Sequence, residues 1–236
     1  GSEADPVWEL RANPMMLMRT PCESMPVPGV PGAFLVGDVL NRAECETLIG
    51  AVEQMGFSRG TATAGMSEAV RTNEVCVVIA SDSLVAALRH RLSHAVPRWG
   101  AGGNARSTIG FVNRRLRCYR YRLQCAEADG SLSSQFFGPH YDGAQKASYA
   151  VDGRLVQDAT LVSQMSVLLY LTEGHVGGDT VFCASGVRVQ PRQGTALCFW
   201  HGDHLLSPLH EGAPLKPGGM TQKYVIRTDV LFDASD

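Results

Sequence analysis

His140-Tyr141-Asp142 is the first place in this sequence where residue type and spacing together suggest chemistry. Residues i and i+2 of a strand point to one face, so an imidazole and a carboxylate stand side by side there. A second imidazole from a later strand would complete a facial set of two histidines and one carboxylate. That donor set suits Fe(II) and leaves coordination positions open for other ligands. HxD alone matches many unrelated chains, so context decides. His210, in Pro208-Leu209-His210-Glu211-Gly212, is the candidate third ligand. His201 and His204 flank Gly202-Asp203 and are the alternatives, although polar residues after Trp200 also fit a plain turn.

The run Lys223-Tyr224-Val225-Ile226-Arg227-Thr228-Asp229-Val230-Leu231-Phe232 reads as a strand with Lys223, Val225 and Arg227 on one face. A cation inside a barrel needs an anionic partner. A dicarboxylate that chelates a metal at one end would give Lys223 that partner at the other. Standing alone, Lys223 would read as an exposed edge-strand lysine. Arg227 lies about 13 Å further along at strand rise and is better placed for substrate or a water near the metal.

The elements that must position these groups follow from pattern. The chain has 236 residues, 44% hydrophobic and 19% charged, with a net charge of -2. It is globular, with one core, and a generic basic coat for nucleic acid is disfavoured. No apolar run is long enough to span a bilayer. The 7 cysteines are scattered and form no CxxC, which predicts free thiols in a reducing compartment, the cytoplasm or nucleus. Gly1-Ser2 reads as a cleavage scar, so the N-terminus is expected to be truncated.

Residues 1–32 are Pro-rich and predict an extended arm. Residues 33–236 predict one domain, with helical support over about 33–100 and a barrel over about 108–232. Asn41 with Glu44 predicts a capping box, and apolar spacing carries that helix to Gly56. A second helix is expected from Ser83 to Val96, with His90 and His94 on its solvated face. Beyond it, β-type runs alternate with turns: Leu116–Leu123, Phe136–Tyr141, Gln164–Leu171, Thr180–Cys183, Gly194–Trp200 and Lys223–Phe232. That rhythm suggests an antiparallel sandwich or barrel. No βαβ alternation, GxGxxG or Walker loop occurs. The segments Cys125–Ser134 and Gln145–Thr160 read as inserted loops, and His175 as an exposed turn residue. Arg114, Arg115, Arg117, Arg120 and Arg122 give local positive charge, compatible with acidic or nucleic-acid substrates but also with a solvated sheet edge.

Five motifs in order now carry a resemblance: His140-Tyr141-Asp142, Gln164 to Leu171, Gly177-Gly178-Asp179-Thr180-Val181-Phe182, Pro191 to Leu197, and His210 with Lys223-Tyr224. Together they resemble the prolyl 4-hydroxylase-like branch of the Fe(II)/2-oxoglutarate-dependent oxygenases, and the likeness covers roughly residues 33 to 232. It implies a mainly β fold with flanking helices (α+β), a double-stranded β-helix or jelly-roll barrel of the cupin type, with the N-terminal helices packed on one sheet. It implies His140, Asp142 and His210 as Fe(II) ligands. Lys223 would bind the C5 carboxylate of 2-oxoglutarate, with Tyr170 and Tyr121 beside it and Thr180 lining the pocket. The distance from His210 to Lys223 is 13 positions, a few more than usual in this branch, which leaves Arg227 as the alternative anchor.

The implied chemistry is hydroxylation of an unactivated C–H bond with release of succinate and CO2, O2 being consumed and ascorbate an auxiliary reductant. A peptidyl residue, proline first, is the implied substrate, and a peptide or protein the partner. A small molecule or nucleobase is the alternative. Two other classes stay open on the same fold: a non-catalytic cupin-like metal-binding protein, and a metal-dependent hydrolase or isomerase, which would need neither Lys223 nor O2.

Overall fold

The computed structural model describes residues 9–10, 21–59, 70–96, 111–126 and 132–233. Two helices are described, α1 (Arg42–Met55) and α2 (Asp82–Leu92). The strands that matter for the site are β1 (Phe34–Val36), β2 (Glu74–Ala80), β3 (Arg115–Ala126), β4 (Phe137–His140), β5 (Lys146–Val151), β6 (Arg154–Tyr170), β7 (Thr180–Phe182), β8 (Val187–Val189), β9 (Ala196–Trp200), β10 (His210–Gly212) and β11 (Gln222–Asp233). β2, β3, β11, β6, β9 and β1 lie side by side in that order in a large sheet. β8, β7, β10 and β4 make a second, four-stranded sheet.

Strand parity divides the core in two. On β11, Tyr224, Ile226, Val230 and Phe232 face one way; on β6, Met165, Val167 and Leu169 do the same, with Leu171 just past its end. They meet Leu48 and Val52 of α1 and Leu84, Leu88 and Leu92 of α2. The opposite face presents Tyr119, Tyr121, Leu168, Tyr170, Phe199 and Val225, which pack on Phe137, Phe182 and Val189 of the small sheet. The result is the antiparallel sandwich that the pattern predicts, in the jelly-roll form with helices on one sheet that the resemblance implies.

Several details differ from expectation. Residues 34–36 and 74–80, inside the stretch read as helical support, are strands of the large sheet. The second helix stops at Leu92, with a turn at 93–96, and His90 and His94 are exposed. Gln145–Thr160 is a hairpin rather than a loop. β5 and β6 pair antiparallel through Asp152-Gly153, both at positive φ, as a two-residue primed turn requires. Within Cys125–Ser134, β3 runs to Ala126 and pairs with the short strand Leu132–Ser134, and residues 127–131 lie outside the described ones. No helix among the described residues is long and apolar enough to cross a membrane. Among the described side chains, Cys22, Cys45, Cys76, Cys118, Cys183 and Cys198 form no disulfide.

The arginines of β3 are not a solvated edge, because β3 lies between β2 and β11. Arg120 pairs with Glu74 and with Glu53 of α1, both at 2.8 Å. Arg115 and Arg117 have the opposite parity and face the barrel interior.

One buried cation ties the two helices together. Arg91 is fully buried in α2. It donates to Glu44 at 2.8 and 2.9 Å and to the Val39 carbonyl at 2.7 Å. Glu44 is also the capping-box acceptor, taking the Asn41 amide at 2.8 Å. Replacing Arg91 by Ala leaves Glu44 without its cation. We expect Arg91→Ala to cost about 3–5 kcal/mol in urea unfolding, far more than Arg42→Ala, whose exposed pair with Glu46 is worth little.

Candidate metal centre and its pocket

β4 and β10 are antiparallel neighbours, and their register sets His140 directly opposite His210. Cross-strand partners share a face, and the two imidazole rings stand 4.4 Å apart. Asp142 follows β4 by two residues and turns its carboxylate between them. Its Oδ1 lies 3.6 Å from His140 Nε2, and its Oδ2 lies 3.8 Å from His210 Nε2. The ligand atoms of all three residues fall within 4.8 Å of one another, the one such cluster of three among the described residues.

The tautomers are set from behind. His140 Nδ1 donates to the Gly138 carbonyl at 2.8 Å, and His210 Nδ1 donates to the Pro208 carbonyl at 3.1 Å. Each Nε2 is thereby left with a lone pair aimed at the cluster, as a metal ligand requires. Burial pushes the His210 imidazole down to about 4, so it stays neutral at physiological pH. Burial pushes the Asp142 carboxyl the other way, but the Arg227 guanidinium beside it outweighs burial and holds it ionised, well below its usual range.

The clamp on Asp142 comes from the large sheet. Arg227 of β11 pairs with Oδ1, and Ser166 of β6 donates to Oδ2 at 2.6 Å. Behind Ser166 stands His201, which is 1% exposed. Its Nδ1 donates to Ser166 Oγ at 2.8 Å, and its Nε2 accepts from Ser163 Oγ at 2.8 Å. The Gln145 amide donates to Ser163 in turn. A bulge in β6 between Ser163 and Met165 lets two serines three residues apart reach the same ring. Burial lowers the His201 imidazole and keeps it neutral. His201 is thus a buried positioning residue, neither a turn residue nor a ligand. His204 stacks on Trp200 at 4.2 Å, away from the cluster. His175, expected to be exposed, is 4% exposed and bonds the Gln222 carbonyl at 3.0 Å.

The deep end of the pocket holds Lys223, which is 2% exposed. Its ammonium donates to the Gly178 carbonyl at 2.6 Å and lies 4.7 Å from the Tyr121 ring centre. No carboxylate pairs with it among the described residues, and burial pushes it down to about 7, partly countered by Asp179. Tyr170 and Thr180 share a hydrogen bond of 2.8 Å nearby. Burial raises both phenols, so Tyr121 and Tyr170 stay neutral donors. The same pocket is lined by His140, Asp142, His210, Tyr121, Thr180 and Lys223.

Arg227 is the counter-example to Lys223. Its guanidinium is committed to Asp142 and to Asp229 at 3.0 Å. Leu168 lines the pocket, whereas its neighbour Val167 faces the helices. Sequence reasoning missed Ser166, although the alternation that places Leu168 and Tyr170 on the inner face also places Ser166 there.

Comparison with known proteins agrees with this geometry. Residues 123–228 match the 2OG-Fe(II) oxygenase superfamily. No curated protein sequence matches the chain. Among solved structures, the chain is similar to a viral collagen prolyl hydroxylase from Paramecium Bursaria Chlorella virus-1, solved as a 2OG complex. That likeness has 18% identity and a TM-score of 0.52, covering 85% of this chain and 96% of that one. It is also similar to a prolyl hydroxylase from Trichoplax adhaerens in complex with a hypoxia inducible factor oxygen degradation domain peptide fragment. Here identity is 15% and the TM-score 0.54, covering 86% of this chain and 84% of that one. At such identities the likeness speaks for the fold.

Ser166→Ala removes one of the two groups that orient Asp142. Loss of such an outer partner typically costs about 10–100-fold in metal affinity. We expect that loss in a competition titration with Mn(II), with the fold unchanged by circular dichroism. His201→Asn, which cannot bridge Ser163 and Ser166, weakens metal binding in the same direction by less.

Proposed function

We propose that the chain, whose residues 123–228 match the 2OG-Fe(II) oxygenase superfamily, is a 2-oxoglutarate-dependent dioxygenase that hydroxylates a peptidyl residue, proline first, with release of succinate and CO2. The observation that carries the reading is Lys223: a buried ammonium without a carboxylate, in one pocket with two imidazoles and a carboxylate. An unpaired buried cation is costly, and a dicarboxylate removes the cost. The hydrolase and binding-protein readings give Lys223 no role.

The residues present fit the metal and the cosubstrate. His140, Asp142 and His210 would hold Fe(II) on one face. Lys223 would pair with the C5 carboxylate of 2-oxoglutarate, with Tyr121, Tyr170 and Thr180 supplying neutral donors around it. Iron and 2-oxoglutarate bound there supply the oxidising chemistry, one oxygen atom of O2 going to succinate and the other to the substrate carbon. The chain itself positions and shields. Arg227 and Ser166 keep Asp142 ionised and oriented. Leu168, Val225 and Phe137 keep water from the reacting centre. No side chain has to move a proton to or from the substrate carbon, which agrees with the lack of a nucleophile–base pair among the described residues that line the pocket. Ascorbate as auxiliary reductant belongs to this proposal.

Support for a peptidyl substrate comes from the cavity outside the metal cluster. It measures about 360 Å³ and opens onto His140, Asp142 and Tyr141, with Val75, Val77, Tyr119 and Phe137 as an apolar wall. A single apolar residue presented by an extended chain suits that shape. The two similar structures named above are prolyl hydroxylases, which makes proline the first residue to try.

Anaerobic addition of 2-oxoglutarate to the Fe(II)-loaded protein is expected to give a weak visible charge-transfer band. His210→Ala loses the band, and Lys223→Ala weakens 2-oxoglutarate binding by at least about 100-fold, the scale of a buried charge pair broken on one side. Metal bound without any band would overturn the oxygenase mechanism. Binding also depends on pH. The carboxylate needs Lys223 protonated, and Lys223 titrates near about 7 when unpaired. Affinity is therefore full below pH 7 and falls roughly tenfold per pH unit above it, one proton being taken up on binding. Lys223→Arg keeps its charge throughout and flattens that profile. Proline-containing peptides are expected to raise succinate release and to gain one oxygen atom by mass spectrometry. Peptides that do neither, with the band intact, would move the search to small molecules.

A further inference from the structure

The outer cavity has a second character that the hydroxylation reading does not use. Four arginines face it: Arg71, Arg115, Arg117 and Arg227. Arg117 and Arg227 are matched by Asp229 and Asp142. Arg71 and Arg115 have no carboxylate partner among the described residues.

Arg71 is 5% exposed. Its guanidinium lies 4.5 Å from the Phe137 ring centre and 4.9 Å from that of Tyr119, and Nε donates to Asn73 at 2.8 Å. Its Nη2 is buried with no hydrogen-bond partner. Phe137 in turn stacks on His140 at 3.6 Å, nearly parallel, so the Phe137 ring lies between Arg71 and the metal cluster, and both line the outer cavity. Arg115 donates to Gln145 at 3.3 Å through Nη1, and its Nε too is buried and unpartnered. Burial, with Arg117 beside it, lowers the Arg115 guanidinium, the mark of a crowded and underneutralised cation. Buried donors of this kind are rare unless something absent completes them. Fe(II), Asp142 and the 2-oxoglutarate dianion sum to one negative charge, which Arg227 and Lys223 already face, so the centre leaves no anion over for Arg71 and Arg115.

We propose that Arg71 and Arg115 form an anion site beside the iron centre, which binds a carboxylate carried by the substrate next to the C–H bond that is oxidised. The planar fork of Arg71 matches a carboxylate bidentately. Val75 and Val77 line the same cavity and suit the short apolar stem on which such a carboxylate is carried. The inference rests on the oxygenase reading and narrows its substrate class to acidic peptides. Two sources offer this chemistry: an aspartyl or glutamyl side chain beside the target residue, or a chain's own C-terminal carboxylate.

The test uses the full chain loaded anaerobically with Fe(II) and 2-oxoglutarate. Three probes are titrated by calorimetry: N-acetyl-aspartyl-prolinamide, its asparaginyl counterpart, and N-acetyl-proline as the free acid. One acidic probe is expected to bind at least about tenfold tighter than the neutral one, as a charge-assisted pair in a dry site should. The tighter acid identifies the source. The preference collapses in Arg71→Gln and, as an independent variant should Arg71 prove needed for folding, in Arg115→Gln. Equal binding of charged and neutral probes, no binding of any, or a preference that survives both substitutions would overturn the proposal. The charge-transfer band is read in the same samples. A band with no acid preference refutes the anion site alone, whereas a missing wild-type band refutes the oxygenase reading and this proposal with it.

Discussion

A buried carboxylate at the meeting of two sheets organises this molecule. Asp142 is 3% exposed and sits between two imidazoles, a position that burial alone would force it to occupy protonated. Arg227 and Ser166 reverse that outcome, and both belong to the sheet opposite the one that carries the histidines. The candidate metal centre is therefore a property of the sandwich rather than of either sheet. If the register between β6 and β11 slipped by one residue, Ser166 and Arg227 would no longer stand opposite Asp142 together, and the charge would be stranded.

The same constraint explains how polar the inner face of the large sheet is. β11 places Lys223, Arg227 and Asp229 inward while Tyr224, Ile226 and Val230 pack on the helices. One strand thus serves an apolar core on one side and an ionic site on the other. The ionic side is tolerable because its members satisfy one another. Asp229 takes both Arg117 and Arg227, and Arg227 takes both Asp229 and Asp142. Lys223 stands outside this network, and its separation from the nearest carboxylates keeps it available to a ligand.

Residues whose position follows from local spacing were legible in the sequence. HxD presents two side chains on one face by parity alone, and Lys223, Val225 and Arg227 share a face for the same reason. His210 could be chosen over His201 and His204 only through the order of motifs, since nothing local distinguishes three histidines near a turn. What separates them is non-local. His210 lies opposite His140 across a strand pair, whereas His201 is enclosed by two serines that a bulge brings together. His175 and Arg91 were misjudged or passed over on similar grounds. Each is buried by partners far away in sequence: Gln222 for His175, Glu44 and Val39 for Arg91. The β5–β6 hairpin was hidden because its outer part is exposed on both faces, apolar Val151, Leu155 and Val156 included, so no buried face imposes a period-two pattern there. Its Asp152-Gly153 turn was the readable mark.

Net charge is the least informative of the sequence-level quantities here. The chain sums to -2, which argues against a basic surface and says nothing of how charge is distributed inside. The fold concentrates cations in one place. Lys223 lies at the deep end of the metal pocket, and four arginines surround its outer cavity. Most of the balancing acidic groups lie elsewhere, on α1, at strand ends and on loops. A pocket of low dielectric with such a surplus attracts anions strongly, because little water is present to screen it. The inner cation suits an anionic cosubstrate. Of the outer four, Arg117 and Arg227 are matched by Asp229 and Asp142, whereas Arg71 and Arg115 meet no carboxylate among the described residues, and a buried cation in that state is costly until an anion pairs with it.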